Sequence, residues 1–104
     1  MGKISSSVKN SVETFLNELH QRYRIDAAYL YGSQAKGTAG SWSDIDLAVV
    51  SPDFSDDLFE ERLVLMHLAA RIDDRIEPFP FTAETFKESD PLASEIKKHG
   101  LRVA

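Results

Sequence analysis

At 104 residues the chain has room for one hydrophobic core but not for a catalytic domain and a separate substrate domain. A single domain over residues 1–104 is therefore expected, with help from another chain in forming a complete binding surface. The 42% hydrophobic and 28% charged content excludes intrinsic disorder, and the lack of cysteine excludes disulfides and thiolate zinc sites. A net charge of −5 opposes a broad nucleic-acid surface, no apolar run is long enough to span a membrane, and Lys3, Lys9, Glu13 and Glu18 interrupt any secretory core. The expectation is a cytoplasmic protein without nucleic-acid or membrane partners.

The first predicted element is an amphipathic helix over residues 4–24. Val8, Val12, Phe15, Leu16, Leu19 and Tyr23 recur on one face, and Ser5, Ser6 or Ser7 is available as its cap. A strand over Ala27–Tyr31 runs into Gly32-Ser33. Gln34, Ala35 and Lys36 then suit one helical turn that stops at Gly37, and residues 38–43 form a small-residue loop around Trp42. A second strand is expected from Asp44 to Val50, ending near Pro52.

Asp56 or Asp57 caps a helix reaching about Arg71, with Leu58, Leu65, Met66, Ala69 and Ile72 as the expected buried stripe. Arg75 to Phe81 reads as a third strand. Pro78 and Pro80 lack backbone donors, which places it at a sheet edge or makes it irregular. Thr82 is expected to cap a short helical segment through Lys87. Asp90-Pro91 opens a further helix that closes at Gly100, and Leu101–Val103 suits a last short strand.

The chemistry concentrates in residues 29–50. Ile45, Leu47 and Val49 fall on one side of a strand, so Asp44 and Asp46 project from the other. Adjacent carboxylates repel, and no apolar core requires them. A divalent cation does, since Mg²⁺ takes oxygen ligands from one or two carboxylates and from substrate phosphates. Gly32-Ser33 supplies the complementary half: glycine admits a phosphate close to the backbone, successive amides form an anion nest, and Ser33 adds a hydroxyl donor. The Gln34–Lys36 turn would point its positive end at the same phosphates. An EF-hand is excluded because Leu47, Ala48 and Val49 follow Asp46, and the Gly32–Lys36 spacing is not that of a P-loop. The remaining bland reading is a surface hairpin with adjacent acids, which the Gly-Ser pair disfavours.

Gly32-Ser33, followed after ten residues by Asp44-Ile45-Asp46, resembles the nucleotidyltransferase signature of the DNA polymerase beta superfamily. The nearest group is the minimal nucleotidyltransferases, and the likeness extends over YGSQAKG, SDIDLAV, RIEPFPFT and DPLASEIKKHG. The resemblance implies an α/β fold, a small mixed sheet flanked by helices like a polymerase beta palm. It further implies two Mg²⁺ ions and ATP, with AMP passed to a hydroxyl, a tyrosine, of a HEPN-domain toxin partner. The chain would then be an antitoxin within a hetero-oligomer.

It also implies a third carboxylate from a later strand. Glu77 is the candidate, being the acidic residue within the apolar RIEPF run; a solvated edge-strand glutamate is the alternative. Lys36, where the group often carries arginine, would meet a β- or γ-phosphate, or simply face solvent. Ser41 and Ser43 either contact nucleotide or orient the aspartates, or simply shape the turn. Trp42 either stacks on a base or partner or packs over its loop. His20, His67 and His99 read as ordinary helix residues. Two further functional readings stay open: a binding subunit that neutralises its partner by occlusion, and a catalytic subunit acting on a small molecule.

Overall fold

The computed structural model describes residues 4–40 and 42–104. Helix α1, Ser6–His20, buries Val8, Val12, Phe15, Leu16 and Leu19, and of the three candidate serines it is Ser5 whose hydroxyl accepts from the Val8 N–H at 3.2 Å. Strand β1 spans Ala27–Tyr31, the short helix α2 Ser33–Lys36, and β2 Ile45–Val50. Helix α3, Leu58–Ala70, is capped by Asp57, which accepts from the Glu60 N–H at 3.1 Å. Strand β3 covers Ile76–Phe81, α4 covers Pro91–His99 under an Asp90 cap, and β4 is Leu101–Arg102.

The four strands lie in the order β3-β2-β1-β4. Pairs β1/β2 and β1/β4 are antiparallel and β2/β3 is parallel, giving the mixed sheet expected. The prolines explain why β3 is an edge. Ile45 N–H donates to the Arg75 carbonyl and Ser51 N–H to the Phe81 carbonyl, so the odd-numbered residues of β3 bond to β2. Pro78 and Pro80 therefore turn their missing donors outward, where no ladder partner waits. Arg62 on α3 reaches the outward Pro78 carbonyl through Nε at 3.4 Å, covering part of that edge.

Both faces of the sheet are buried. Ala28, Leu30, Ile45, Leu47, Val49 and Ile76 pack in one cluster with the apolar stripes of α1 and α3. Ala27, Ala48, Val50 and Phe81 pack in a second with Ala93 and Ile96 of α4. Double coverage is why β2 reads as nearly continuous apolar sequence after Asp46. A polar clamp joins α1 to the start of β3: the Arg75 guanidinium meets Asp73 at 2.7 Å, and the Ser11 hydroxyl donates to the same carboxylate at 2.6 Å.

Three local expectations need correction. Met66 is 39% exposed, and Leu68 takes its place against the sheet. Thr82–Lys87 forms turns instead of a helix, although Thr82 does cap the first of them: the Thr85 N–H donates to Thr82 Oγ1 and the Thr82 N–H to Thr85 Oγ1. That turn carries Phe86 onto Tyr29 and Phe81, with ring centroids 5.3 and 5.1 Å apart. Strand β2 starts at Ile45, leaving Asp44 just outside it. Among the described residues, no helix is long and apolar enough to cross a membrane.

Candidate active site

The site is assembled where β1 ends. Tyr31 hands the chain to Gly32, whose φ of 68° and ψ of −143° are disfavoured for residues with a β-carbon. A second constraint acts there, since a β-carbon on Gly32 would meet Asp46 Oδ2 at 2.5 Å. Helix α2 follows at once. The Lys36 N–H donates to the Gly32 carbonyl at 3.1 Å, and Gly37, with φ of 76°, ends the turn by donating its N–H to the Ser33 carbonyl.

The loop beyond is tied back at two points. Gln34, 5% exposed, donates from Nε2 to the Asp44 carbonyl at 3.3 Å, and the Gly40 N–H donates to Ser43 Oγ at 2.8 Å. The Ser43 hydroxyl thus shapes the turn, while keeping its own proton to donate. Ser41 lies outside the described residues. Trp42 is 91% exposed, so it does not pack over the loop.

Register places the acids. Tyr31 on β1 is the cross-strand partner of Asp46 on β2, and Asp46 is the partner of Glu77 on β3. All three side chains leave the same face of the sheet, in a row, with exposed Asp44 immediately before Asp46. The electrostatics follow from this crowding. Burial, then the neighbouring charges of Asp44 and Glu77, push the Asp46 carboxyl above its ordinary range. Tyr31 is pushed up to about 12, by burial first and by Asp46 next, with Arg62 opposing.

Among the described residues the ion pairs are Arg24–Asp26 and Arg75–Asp73, so none of the three acids has a salt-bridge partner. Acceptor-only oxygens crowded around one carboxylate, that of Asp46, are the donor set a hard divalent cation takes, and Asp44, Asp46 and Glu77 fit such an ion chemically. Their side chains are gathered without converging: no group of three or more His, Asp or Glu side chains among the described residues is already drawn to metal-binding distance.

Lys36 is exposed on the last turn of α2. With Tyr31, Gly32, Ala35, Glu95 and His99 it lines a cavity of about 290 Å³. A larger one, about 540 Å³ between Ser5, Ser7, Gln34, Gly40 and Arg75, includes none of the acids. Two residues of the site escape sequence reading. Tyr31 gains its place from the β1/β2 register, which no local pattern specifies, and Gln34 looks like any polar residue of a short turn.

A family model for the nucleotidyltransferase domain matches residues 12–103. No curated protein matches the chain in sequence. Among solved structures, a mutant of the toxin-antitoxin pair MntA-HpeT contains a chain 24% identical, with a TM-score of 0.62, over 92% of this chain and 71% of that one. A toxin-antitoxin structure with AMP-PNP matches at 24% identity and a TM-score of 0.62, over 90% and 70%. A candidate nucleotidyltransferase from Sulfolobus solfataricus matches at 20% identity and a TM-score of 0.60, over 98% and 89%. At such identities the likeness is one of fold.

Proposed function

The chain belongs to the nucleotidyltransferase domain family, and from that premise we propose that it transfers AMP from ATP, with magnesium, to a tyrosine hydroxyl of a HEPN-domain toxin, acting as its antitoxin. The observation that carries this reading is the row Tyr31–Asp46–Glu77, with Gly32 set against Asp46 Oδ2. A glycine whose missing side chain leaves a carboxylate beside an amide-rich turn joins a cation-attracting site to an anion-attracting one, and a metal-bound nucleoside triphosphate carries both charges.

In this reading each group has a task. Asp44, Asp46 and Glu77 would hold magnesium, which when bound supplies positive charge to phosphate oxygens and to the attacking oxygen. The Gly32-Ser33 backbone and the Ser33 hydroxyl hold the phosphates, Lys36 adds a point charge, and Ser43 keeps the loop beside them. Glu77 accepts the proton of the acceptor hydroxyl. The acceptor oxygen then bonds to the α-phosphorus, the bond from that phosphorus to its bridging oxygen breaks, and pyrophosphate leaves.

The acceptor is assigned to a protein because cavities of this size leave no room for both nucleotide and a private acceptor pocket. The fold neighbours from toxin-antitoxin structures, one solved with AMP-PNP, support a toxin partner and an adenine nucleotide. Intact-mass spectrometry of the partner, incubated with the chain, ATP and Mg²⁺, tests the reading. One added AMP, mapped to a tyrosine, is expected; an unmodified partner that is nonetheless neutralised would replace transfer by occlusion.

A further inference from the structure

We propose that the outward face of α3 is a self-association surface, on which a second copy of this chain packs its own α3 antiparallel about a two-fold axis near Val64. The helix is apolar on two sides. Leu58, Leu65, Leu68 and Ala69 pack inward with the sheet cluster, whereas Phe59, Leu63 and Met66 stay 74%, 46% and 39% exposed, and Ala70 is exposed beyond them. One apolar stripe is enough to seat a surface helix on its sheet, and helices that are apolar all round are found buried.

Spacing and charge select the occupant. Phe59, Leu63, Met66 and Ala70 follow one another at intervals of four, three and four residues, the repeat that keeps a single seam turned toward a second helix. They form one patch, unlike the scattered apolar residues of an ordinary surface. Along one flank of that seam stand exposed Glu60 near the amino end of the helix and exposed His67 and Arg71 at its carboxyl end. An antiparallel copy sets each Glu60 against the His67 and Arg71 of the other, twice by symmetry, and opposes the two helix dipoles. The surface is thus complementary to itself. The remaining charges of the helix are engaged elsewhere: Glu61 accepts from the Ser55 N–H at 2.7 Å, and Arg62 reaches the Pro78 carbonyl with its guanidinium 5.0 Å from the Phe79 ring centroid.

The acids of the site lie across the sheet from this helix. Helix α3 packs on the face of Ile45, Leu47 and Ile76, and Asp46 and Glu77 alternate to the opposite one. Pairing through α3 therefore leaves the site of each copy open. A helix of 13 residues is about 20 Å long, so the stripe alone supplies less than the roughly 800 Å² per partner of a standard interface. The dimer is accordingly weak, dissociating at roughly 10–100 μM.

Sedimentation equilibrium of the full chain, from about 5 to about 500 μM to bracket that range, is the test. The wild type should pass from monomer to dimer and go no further, as a closed two-fold contact requires. Phe59→Glu, at so exposed a position, should keep the wild-type circular dichroism spectrum and remain monomeric throughout. Glu60→Arg should weaken association about five- to tenfold, and adding Arg71→Glu should restore it, a recovery that a folding defect does not produce. Should Phe59→Glu fail to fold, the pair of charge variants decides alone. A wild type that stays monomeric at the highest concentration, or a Phe59→Glu chain that dimerises like the wild type, would overturn the assignment. A monomeric wild type whose binding to the proposed toxin is lost in Phe59→Glu would overturn it as well and give this face to the toxin.

Discussion

A β-carbon on Gly32 would lie 2.5 Å from Oδ2 of Asp46, so the turn that closes β1 and the carboxylate that opens β2 occupy one another's space. Gly32→Ala meets two obstacles, the clash and a φ of 68° that costs an L residue about 1–2 kcal/mol. Denaturant unfolding should show a loss of at least that size, and nucleotide titration should show binding abolished. An alanine variant of unchanged stability and affinity would mean that the turn and Asp46 are not in contact.

Asp46 should work against stability while serving the site. Its carboxyl is pushed up by burial and by Asp44 and Glu77, so the fold favours the protonated form. The sign follows: stability is greatest below the ordinary carboxylate range and falls as pH rises through the raised folded value. At pH 7, Asp46→Asn should therefore raise the melting temperature while lowering transfer by roughly 10²–10³-fold. Thermal melts should also show Mg²⁺ stabilising the wild type more than the variant. A variant that melts lower at pH 7 would contradict the assigned electrostatics.

Asp73 behaves oppositely. Its hydrogen bonds with Arg75, helped by the Ser11 hydroxyl, hold it well below the ordinary carboxylate range. Its contribution is complete above the unfolded value of about 3.9 and is lost as pH falls below it. Asp73→Asn should cost about 1–3 kcal/mol at pH 7, the range for hydrogen bonds to charged groups. Denaturation at a series of pH values should show the gap to wild type closing below about pH 4; a pH-independent gap would assign the loss to packing.

Much of this was legible from residue types alone. A serine cap among residues 5–7, an aspartate cap at 56 or 57, the opening of α4 at Asp90, the halt of β1 at Gly32 and the proline-bearing edge are local chemistry, while the choice of Ser5 and of Asp57 is made by the fold. Tertiary facts were not legible. Met66 and Leu68 are both apolar at near-helical spacing, and only the direction of the sheet decides which is buried. Thr82 caps a turn, as its residue type predicts, but that turn does not continue as a helix. The pairing of Tyr31 with Asp46, and the closeness of His99 to Lys36, arise from strand order and from the return of α4 to β1. No window of sequence contains either.

Trp42 offers a direct check of the loop. At 91% exposure it should fluoresce like a solvated indole and be quenched freely by iodide, and as the sole tryptophan its signal needs no deconvolution. Trp42→Ala should change stability by no more than about 0.5 kcal/mol. Emission shielded from iodide in the isolated chain would place the ring inside the fold.

The decisive measurement pairs ATP labelled at the α-phosphate with the proposed HEPN-domain partner, Mg²⁺ and two forms of this chain, the wild type and an Asp44→Asn, Asp46→Asn double variant. Label should pass to the partner and its toxicity should cease with the wild type, while the double variant, folded and still bound to the partner, leaves it unlabelled and toxic. Equal neutralisation by both forms without label transfer would show that the chain silences its partner by contact and performs no transfer.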